Sequence, residues 1–149
     1  MSAEIKAMAG NCKTCQALKP ANPRDTMTQH NQGTYSREKI VCDLMEIDGR
    51  NYLLTVDCFS NFAEADYLTN TESQSIIMKL KGHFARFGIP KVVVTDCGSQ
   101  FVAQEFSKFA EKRGFRHETS SPGHPRSNGR AELGVKNKKY TMKKANRQK

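Results

Sequence analysis

The tripeptide Val92-Val93-Val94, set between Gly88-Ile89-Pro90 and Asp96-Cys97-Gly98, constrains the fold more than any other stretch of the chain. Three β-branched residues in a row favour a strand and leave it no polar face. Such a strand is expected in a parallel position, buried on both sides by helices.

The flanking sequence supplies matching elements. Lys39 to Ile47 and Tyr52 to Phe59 are rich in apolar and β-branched residues, and Asp48-Gly49-Arg50-Asn51 between them carries a hairpin pattern. A third strand, about Phe62 to Leu68, follows the short turn at Ser60-Asn61. Thr71 is a candidate cap for a helix in which Ile76, Ile77, Leu80, Phe84 and Phe87 keep a 3.6-residue period. Gly88-Ile89-Pro90 stops it. After Gly98 a second amphipathic helix is expected, with Val102, Phe106, Phe109 and Ala110 on one face and Gly114 at its end. Phe115 to Glu118 can add one more strand. Ser120 to Gly129 reads as a loop, and a last helix runs from about Asn128 into a lysine-rich end. Three strands, then helix, strand, helix, strand, helix, predict an α/β domain with a mixed sheet covered by helices.

At 149 residues the chain suffices for one domain with a real core but is short for two. The compact unit is expected over residues 38–149. Residues 19–37, with Pro20 and Pro23 in a polar run, read as a linker. Residues 1–18 look helical on either side of the Cys12–Cys15 pair. No apolar run long enough to cross a membrane is present, and Met1 to Gly10 lacks the apolar core of a secretory signal. The five cysteines, odd in number, then read as reduced thiols of an intracellular protein.

The net charge of +9 is concentrated at one end. Seven of the 24 basic residues fall between Val135 and Lys149 with no acid among them, which leaves 17 against 15 acidic residues elsewhere. A block of this kind fits a surface that meets phosphate, and equally a solvated helix face or a localisation signal.

Three acids occupy costly positions. Asp43 interrupts the first predicted strand among Val41, Cys42, Leu44 and Met45. Asp96 ends the valine strand, where parallel α/β sheets bind ligands. Glu132 falls in the first turns of the last helix. If the first strand and the valine strand are neighbours, Asp43 and Asp96 lie side by side, and both stay ionised only beside a cation. Oxygen-only ligation favours Mg²⁺ or Mn²⁺. By position alone, Asp57 or Asp66 could equally be the strand carboxylate. On the last helix Asn128, Glu132, Lys136, Lys139 and Lys143 follow at steps of four, four, three and four, so they share a face. Simple charge pairing of Glu132 with Lys136 explains part of that stripe as well.

From about Ile40 to Lys144 the sequence resembles the integrase catalytic core of retroviruses and of Ty3/gypsy-class retrotransposons. The resemblance rests on Asp43-Leu44, on Tyr52-Leu53-Leu54-Thr55-Val56-Asp57 with Ser60, and on His83-Phe84-Ala85-Arg86-Phe87-Gly88-Ile89-Pro90. It continues through Val94-Thr95-Asp96 with Gly98 and Gln100-Phe101, Ser120-Ser121-Pro122, and His124-Pro125-Arg126-Ser127-Asn128-Gly129-Arg130-Ala131-Glu132. The family pattern separates its second Asp from its Glu by 35 residues, and Asp96 and Glu132 have that spacing.

The resemblance implies an RNase H-like fold with a five-stranded mixed sheet flanked by helices. It makes Asp43, Asp96 and Glu132 the catalytic, metal-binding triad for two Mg²⁺ or Mn²⁺ ions, and leaves Asp57 outside it. It makes Asn128, Lys136, Lys139 and, by the stripe, Lys143 candidate DNA contacts. The implied reaction is endonucleolytic trimming of a DNA 3′ end and strand transfer of that end into target DNA. The implied partners are element-end and target DNA and further copies of the chain, with the nucleus as the place of work.

Residues 1–18 resemble the tail of the zinc-binding module that precedes such cores. No His lies upstream of Cys12, however, so half of a His-His-Cys-Cys site is missing and Zn²⁺ binding is not expected. Arg37 stands where the family usually has Trp, Cys97 follows the second Asp in place of the common Asn, and no C-terminal DNA-binding domain follows. The expectation is a fragment, or a degraded or domesticated copy, of a larger polyprotein. The alternative to an active enzyme is a catalytically inactive nucleic-acid-binding remnant.

Overall fold

The computed structural model describes residues 3–17, 33–120 and 129–147. Two short helices come first, α1 (Ala3–Asn11) and α2 (Lys13–Ala17), broken at Cys12. Cys15 lies within α2 rather than in a gap between helices, because Lys13 to Ala17 contains neither Gly nor Pro to interrupt it. The expected linker at 19–37 falls largely outside the described residues, which resume at Gly33.

The sheet opens with β1 (Lys39–Ile47), β2 (Arg50–Asp57) and β3 (Ala63–Leu68), as an antiparallel meander. The first hairpin is tighter than the sequence indicates. Asp48 and Gly49 both take positive φ, 50° and 70°, and Ile47 pairs directly with Arg50. A two-residue turn of this hand matches strand twist, so β2 begins two residues earlier than expected.

Next come α3 (Ser73–Phe87), β4 (Val92–Thr95), α4 (Ser99–Val102), α5 (Gln104–Arg113), β5 (Arg116–Thr119) and α6 (Gly129–Arg147). The sheet order is β3-β2-β1-β4-β5, with β4 parallel to both β1 and β5. This is the five-stranded mixed sheet flanked by helices that the sequence predicts, and the valine strand is buried along its whole length.

The two faces carry separate cores. On one, Ile40, Cys42, Leu53 and Val93 pack with Ile76, Leu80 and Phe84 of α3 and Phe106, Phe109 and Ala110 of α5. Phe84, Phe106, Phe109 and Phe115 meet mostly edge to face, with Phe84 and Phe109 stacked. On the other face, Val41, Leu54, Val56, Val92 and Val94 pack with Val135 of α6. Odd-numbered positions of β1 and even-numbered positions of β2 and β4 therefore face α6.

Three expectations need correction. Thr71 does not cap α3: Glu72 holds the cap position without a side-chain hydrogen bond, and Ser73 Oγ instead donates to the Gln100 carbonyl at 2.6 Å. The helix after Gly98 is two helices, because Ala103 is extended (φ −62°, ψ 147°). That break turns Phe101 inward against Phe106, at 5.5 Å between rings, and leaves Val102 exposed. Phe87 lies outside the core for a different reason, since the Arg37 guanidinium stacks 3.8 Å above its ring. Arg37, at the position where the resembled family has Trp, thus reaches the same aromatic neighbourhood as Phe62 and Phe87 while pairing with Glu64 at 3.5 Å.

The chain's entry into β1 is pinned by Asp57. This buried carboxylate accepts from Ser36 Oγ (2.9 Å), Arg37 N–H (3.0 Å), Phe59 N–H (3.3 Å), and Ser60 N–H and Oγ (3.2 and 2.5 Å). Burial pushes its pKa up, but these bonds outweigh it and hold the carboxyl below the ordinary Asp value. A depressed folded-state pKa stabilises above the unfolded value, and that contribution is lost as pH falls through the folded one. Asp57→Asn is accordingly expected to cost about 3 kcal/mol at pH 7. The deficit against wild type should shrink below about pH 4. Urea unfolding of both proteins at pH 7 and pH 3 reads this directly, and a deficit that persists unchanged at pH 3 would contradict it.

Candidate functional site

The parallel pairing of β1 with β4 aligns Ile40 with Val93 and Val41 with Val94. Asp43 lies in the middle of β1, two residues past the last of these pairs, and Asp96 follows directly after the end of β4. Asp43, an odd-numbered position of β1, faces α6. Both acids thus lie beyond the same end of the paired segment. Asp43 is partly buried, whereas Asp96 is exposed just past the strand and accepts the Gly98 N–H at 2.9 Å. A Cβ at Gly98 would come 2.9 Å from Asp96 Oδ1 and closer to the Gln100 amide, so both side chains would have to move aside.

The other two strand carboxylates are committed elsewhere. Asp57 holds the entry turn, and Asp66 Oδ2 lies 2.6 Å from His83 Nε2 on the face away from α6. His83 Nδ1 lies 3.5 Å from Glu64 Oε2, too far to satisfy it as a hydrogen bond. Arg86 reaches the other oxygen of Glu64 at 3.1 Å.

α6 lies along β1 and β2. Gly134 approaches Val56 near the start of β1, Lys139 reaches the middle of that strand, and Asn146 Nδ2 donates to Asp48 Oδ2 at its far end. Lys139 Nζ stands 2.5 Å from Asp43 Oδ2 and donates to the Leu44 carbonyl at 3.2 Å. Glu132 belongs to the first turn of α6, seven residues or two turns before Lys139, about 10 Å along the axis. The side chain that α6 delivers to Asp43 is thus a lysine. The Glu132 side chain and all of Asn128 lie outside the described residues. Lys136 and Lys143 are exposed on the same helix. Among the described residues no three His, Cys, Asp or Glu side chains cluster closely enough to hold a metal. Asp43, with an ammonium already against it, and Asp96 nevertheless offer the carboxylate oxygens that a hard cation prefers.

Sequence reasoning missed the Lys139 contact, although the helical spacing had put Lys139 on the Glu132 face. It also missed His117. On the opposite face of the sheet, His117 Nε2 lies 2.8 Å from Thr95 Oγ1, which donates to the Asp96 carbonyl at 2.8 Å. The ring packs against Phe106, 4.8 Å between centroids. A polar cleft of about 500 Å³ opens between the start of α3 and Ser99, Gln100 and Glu105.

Solved structures share this fold. The catalytic core domain of BIV integrase superposes with a TM-score of 0.59 at 17% identity, over 67% of this chain and 65% of that one. The simian T-cell lymphotropic virus intasome, solved in complex with the PP2A regulatory subunit B56 gamma, gives 0.65 at 21% identity, over 91% of this chain and 50% of the matched one. The fold is that of an integrase catalytic core, RNase H-like. The integrase core domain family model matches residues 34–125, and the chain belongs to that family. The Pro-Pol polyprotein of feline foamy virus is 29% identical over 138 residues, covering 89% of this chain but 12% of the viral polyprotein. The chain therefore spans a small part of that relative's length.

Burial holds the pKa of His117 below the ordinary His value. A His that resists protonation in the fold costs stability as pH falls below its unfolded value of about 6.5. His117→Gln, which keeps a hydrogen-bonding partner for Thr95, should flatten the loss of stability between pH 7 and pH 5. Denaturation midpoints across that range check it, and parallel profiles for the two proteins would show that His117 is protonated as easily folded as unfolded.

Proposed function

We propose that this chain is the catalytic core of a retrotransposon-type integrase, of the Ty3/gypsy class, acting on DNA phosphodiesters through Asp43, Asp96 and Glu132. The observation that carries the reading is that Asp43 and Asp96 lie beyond the same end of the parallel β1–β4 pairing, in a member of the integrase core family. Asp43, Asp96 and Glu132 would hold Mg²⁺ or Mn²⁺, two ions per site. Bound there, such ions neutralise the attacking and leaving oxygens of an in-line phosphoryl displacement.

The chain's own residues do the positioning. The β1–β4 pairing supports a common site for the two Asp at one end of the paired strands, and the Gly98 N–H orients the Asp96 carboxylate. Lys136, Lys139 and Lys143, with Asn128, offer donors along one helix face to the phosphates of an element end. Trimming a 3′ end uses water as nucleophile, and strand transfer uses the trimmed 3′-hydroxyl at a target phosphate. Holding two ends at one target calls for further copies of the chain, and DNA as substrate implies work in the nucleus. In this reading residues 1–18 belong to the end of a zinc-binding module, 19–37 are a linker and 38–149 the core. Among the described residues no helix is long and apolar enough to cross a membrane.

The ion pair of Lys139 with Asp43 favours a second reading, an integrase descendant that binds DNA without turning it over. The two part on a branched integration-intermediate DNA offered with Mn²⁺. The enzyme reading expects metal-dependent resolution that Asp96→Asn abolishes, with the fold intact because Asn can still accept the Gly98 N–H. Resolution retained in that variant would remove Asp96 from the chemistry.

The basic stripe has its own test. Lys136→Glu with Lys143→Glu should weaken DNA binding and lower the slope of log K against log salt by about two. Fluorescence anisotropy from low to moderate salt measures it. An unchanged slope would place the DNA on another surface.

A further inference from the structure

We infer that Lys139 is an internal cation that occupies Asp43 and is exchanged for a divalent metal when the site loads. The inference rests on the reading of Asp43 and Asp96 as metal ligands and adds a competitor built into the same chain.

The carboxylates impose the problem. Asp43 and Asp96 lie beyond the same end of the β1–β4 pairing, and two carboxylates drawn to one metal site repel until a cation joins them. Each of the other acids that the fold draws into close contact already has a partner. Glu64 takes Arg86 and Arg37, Asp66 takes His83, and Glu38 takes Lys91 at 3.0 Å. Asp43 takes Lys139 at 2.5 Å, and the same ammonium donates to the Leu44 carbonyl next door. A cation bound to one carboxylate oxygen and one backbone carbonyl oxygen has the kind of oxygen surroundings a hard metal ion prefers. Lys139 is a stand-in for that ion.

The contact is also one of the polar anchors that position α6 along β1. With Lys139 on Asp43, Glu132 is held two turns away along the helix, about 10 Å from that point on its axis. The ammonium and a metal cannot share the Asp43 oxygen, so each weakens the other's hold to the same degree. Loading of the metal then releases a lysine of the basic stripe towards phosphate and frees α6 to bring Glu132 nearer the two Asp. The pair is an autoinhibitory latch, opened by metal.

The test is calorimetric titration of the full chain with Mn²⁺ alone. Lys139→Gln is expected to bind Mn²⁺ at least about fivefold more tightly than wild type. Lys138→Gln carries the same change of net charge off the stripe and controls for long-range attraction, so it should stay near wild type. Lys139→Arg, whose guanidinium can fork onto a carboxylate, should bind no more tightly than wild type. Added Mn²⁺ should likewise raise the unfolding midpoint of Lys139→Gln more than that of wild type.

Lys139→Gln binding no more tightly than Lys138→Gln, while wild type does bind, would overturn the latch and leave the metal site standing. Tightening that survives Asp43→Asn in the Lys139→Gln background would overturn it too, since the metal would then sit elsewhere. Absence of Mn²⁺ binding from wild type and Lys139→Gln alike would remove the metal reading and the latch together.

Discussion

The parallel pairing of β1 with β4 is the constraint from which the site descends. Parallel strands need cover on both faces, and here α3 and α5 supply one layer and α6 the other. The pairing sets Asp43, within β1, and Asp96, just past β4, beyond the same end of the paired segment. A carboxylate half-buried under α6 calls for a cation, and the described part of the helix supplies Lys139.

The same electrostatic logic sorts the remaining acids. Asp57 is almost wholly enclosed and still ionised, because five donors from two turns converge on it, and in doing so it ties the segment before β1 to the end of β2. Glu64 and Asp66 are bound into a network with Arg37, His83 and Arg86 on β3 and α3. These groups hold elements together, and their charges are spent in doing so. Asp96 differs. It is exposed beyond its strand and accepts a hydrogen bond from its own turn, which leaves it open to a ligand from outside.

Much of this was legible beforehand because it depends on local pattern. The boundaries of β1, the burial of Val92 to Val94 and the stop at Gly88 follow from residue type and spacing, and Asp43 stands out as an acid within an apolar strand; Asp96, expected at a costly position, is exposed. The misses share a cause, which is that tertiary contact overrode local preference. Ala103 carries no helix-breaking chemistry, yet the Ser73 bond to Gln100 and the insertion of Phe101 split the helix there. Phe87 has the period of a core residue and is drawn to the surface by Arg37. Lys139 could be placed on the Glu132 face by arithmetic. Which residue of that face meets Asp43 depends on how far α6 advances along β1, and helical period says nothing about axial position.

That axial position is weakly specified in physical terms. Strands are locked by backbone pairing, in which a one-residue slip turns every side chain to the wrong face. A helix on a sheet is located by its buried side chains, and among the described residues of α6 only Val135 is fully buried. Two further described anchors are polar and near solvent: Lys139 on Asp43 and Leu44, and Asn146 on Asp48. Contacts of this kind contribute about 1 kcal/mol or less each. A helix so held can be moved by a ligand that competes for one anchor, whereas α3, with Ile76, Ile77, Leu80 and Phe84 buried, cannot be moved without opening a core. The element that carries Glu132 and the lysines is therefore the one whose position a metal ion or a DNA strand has the free energy to change.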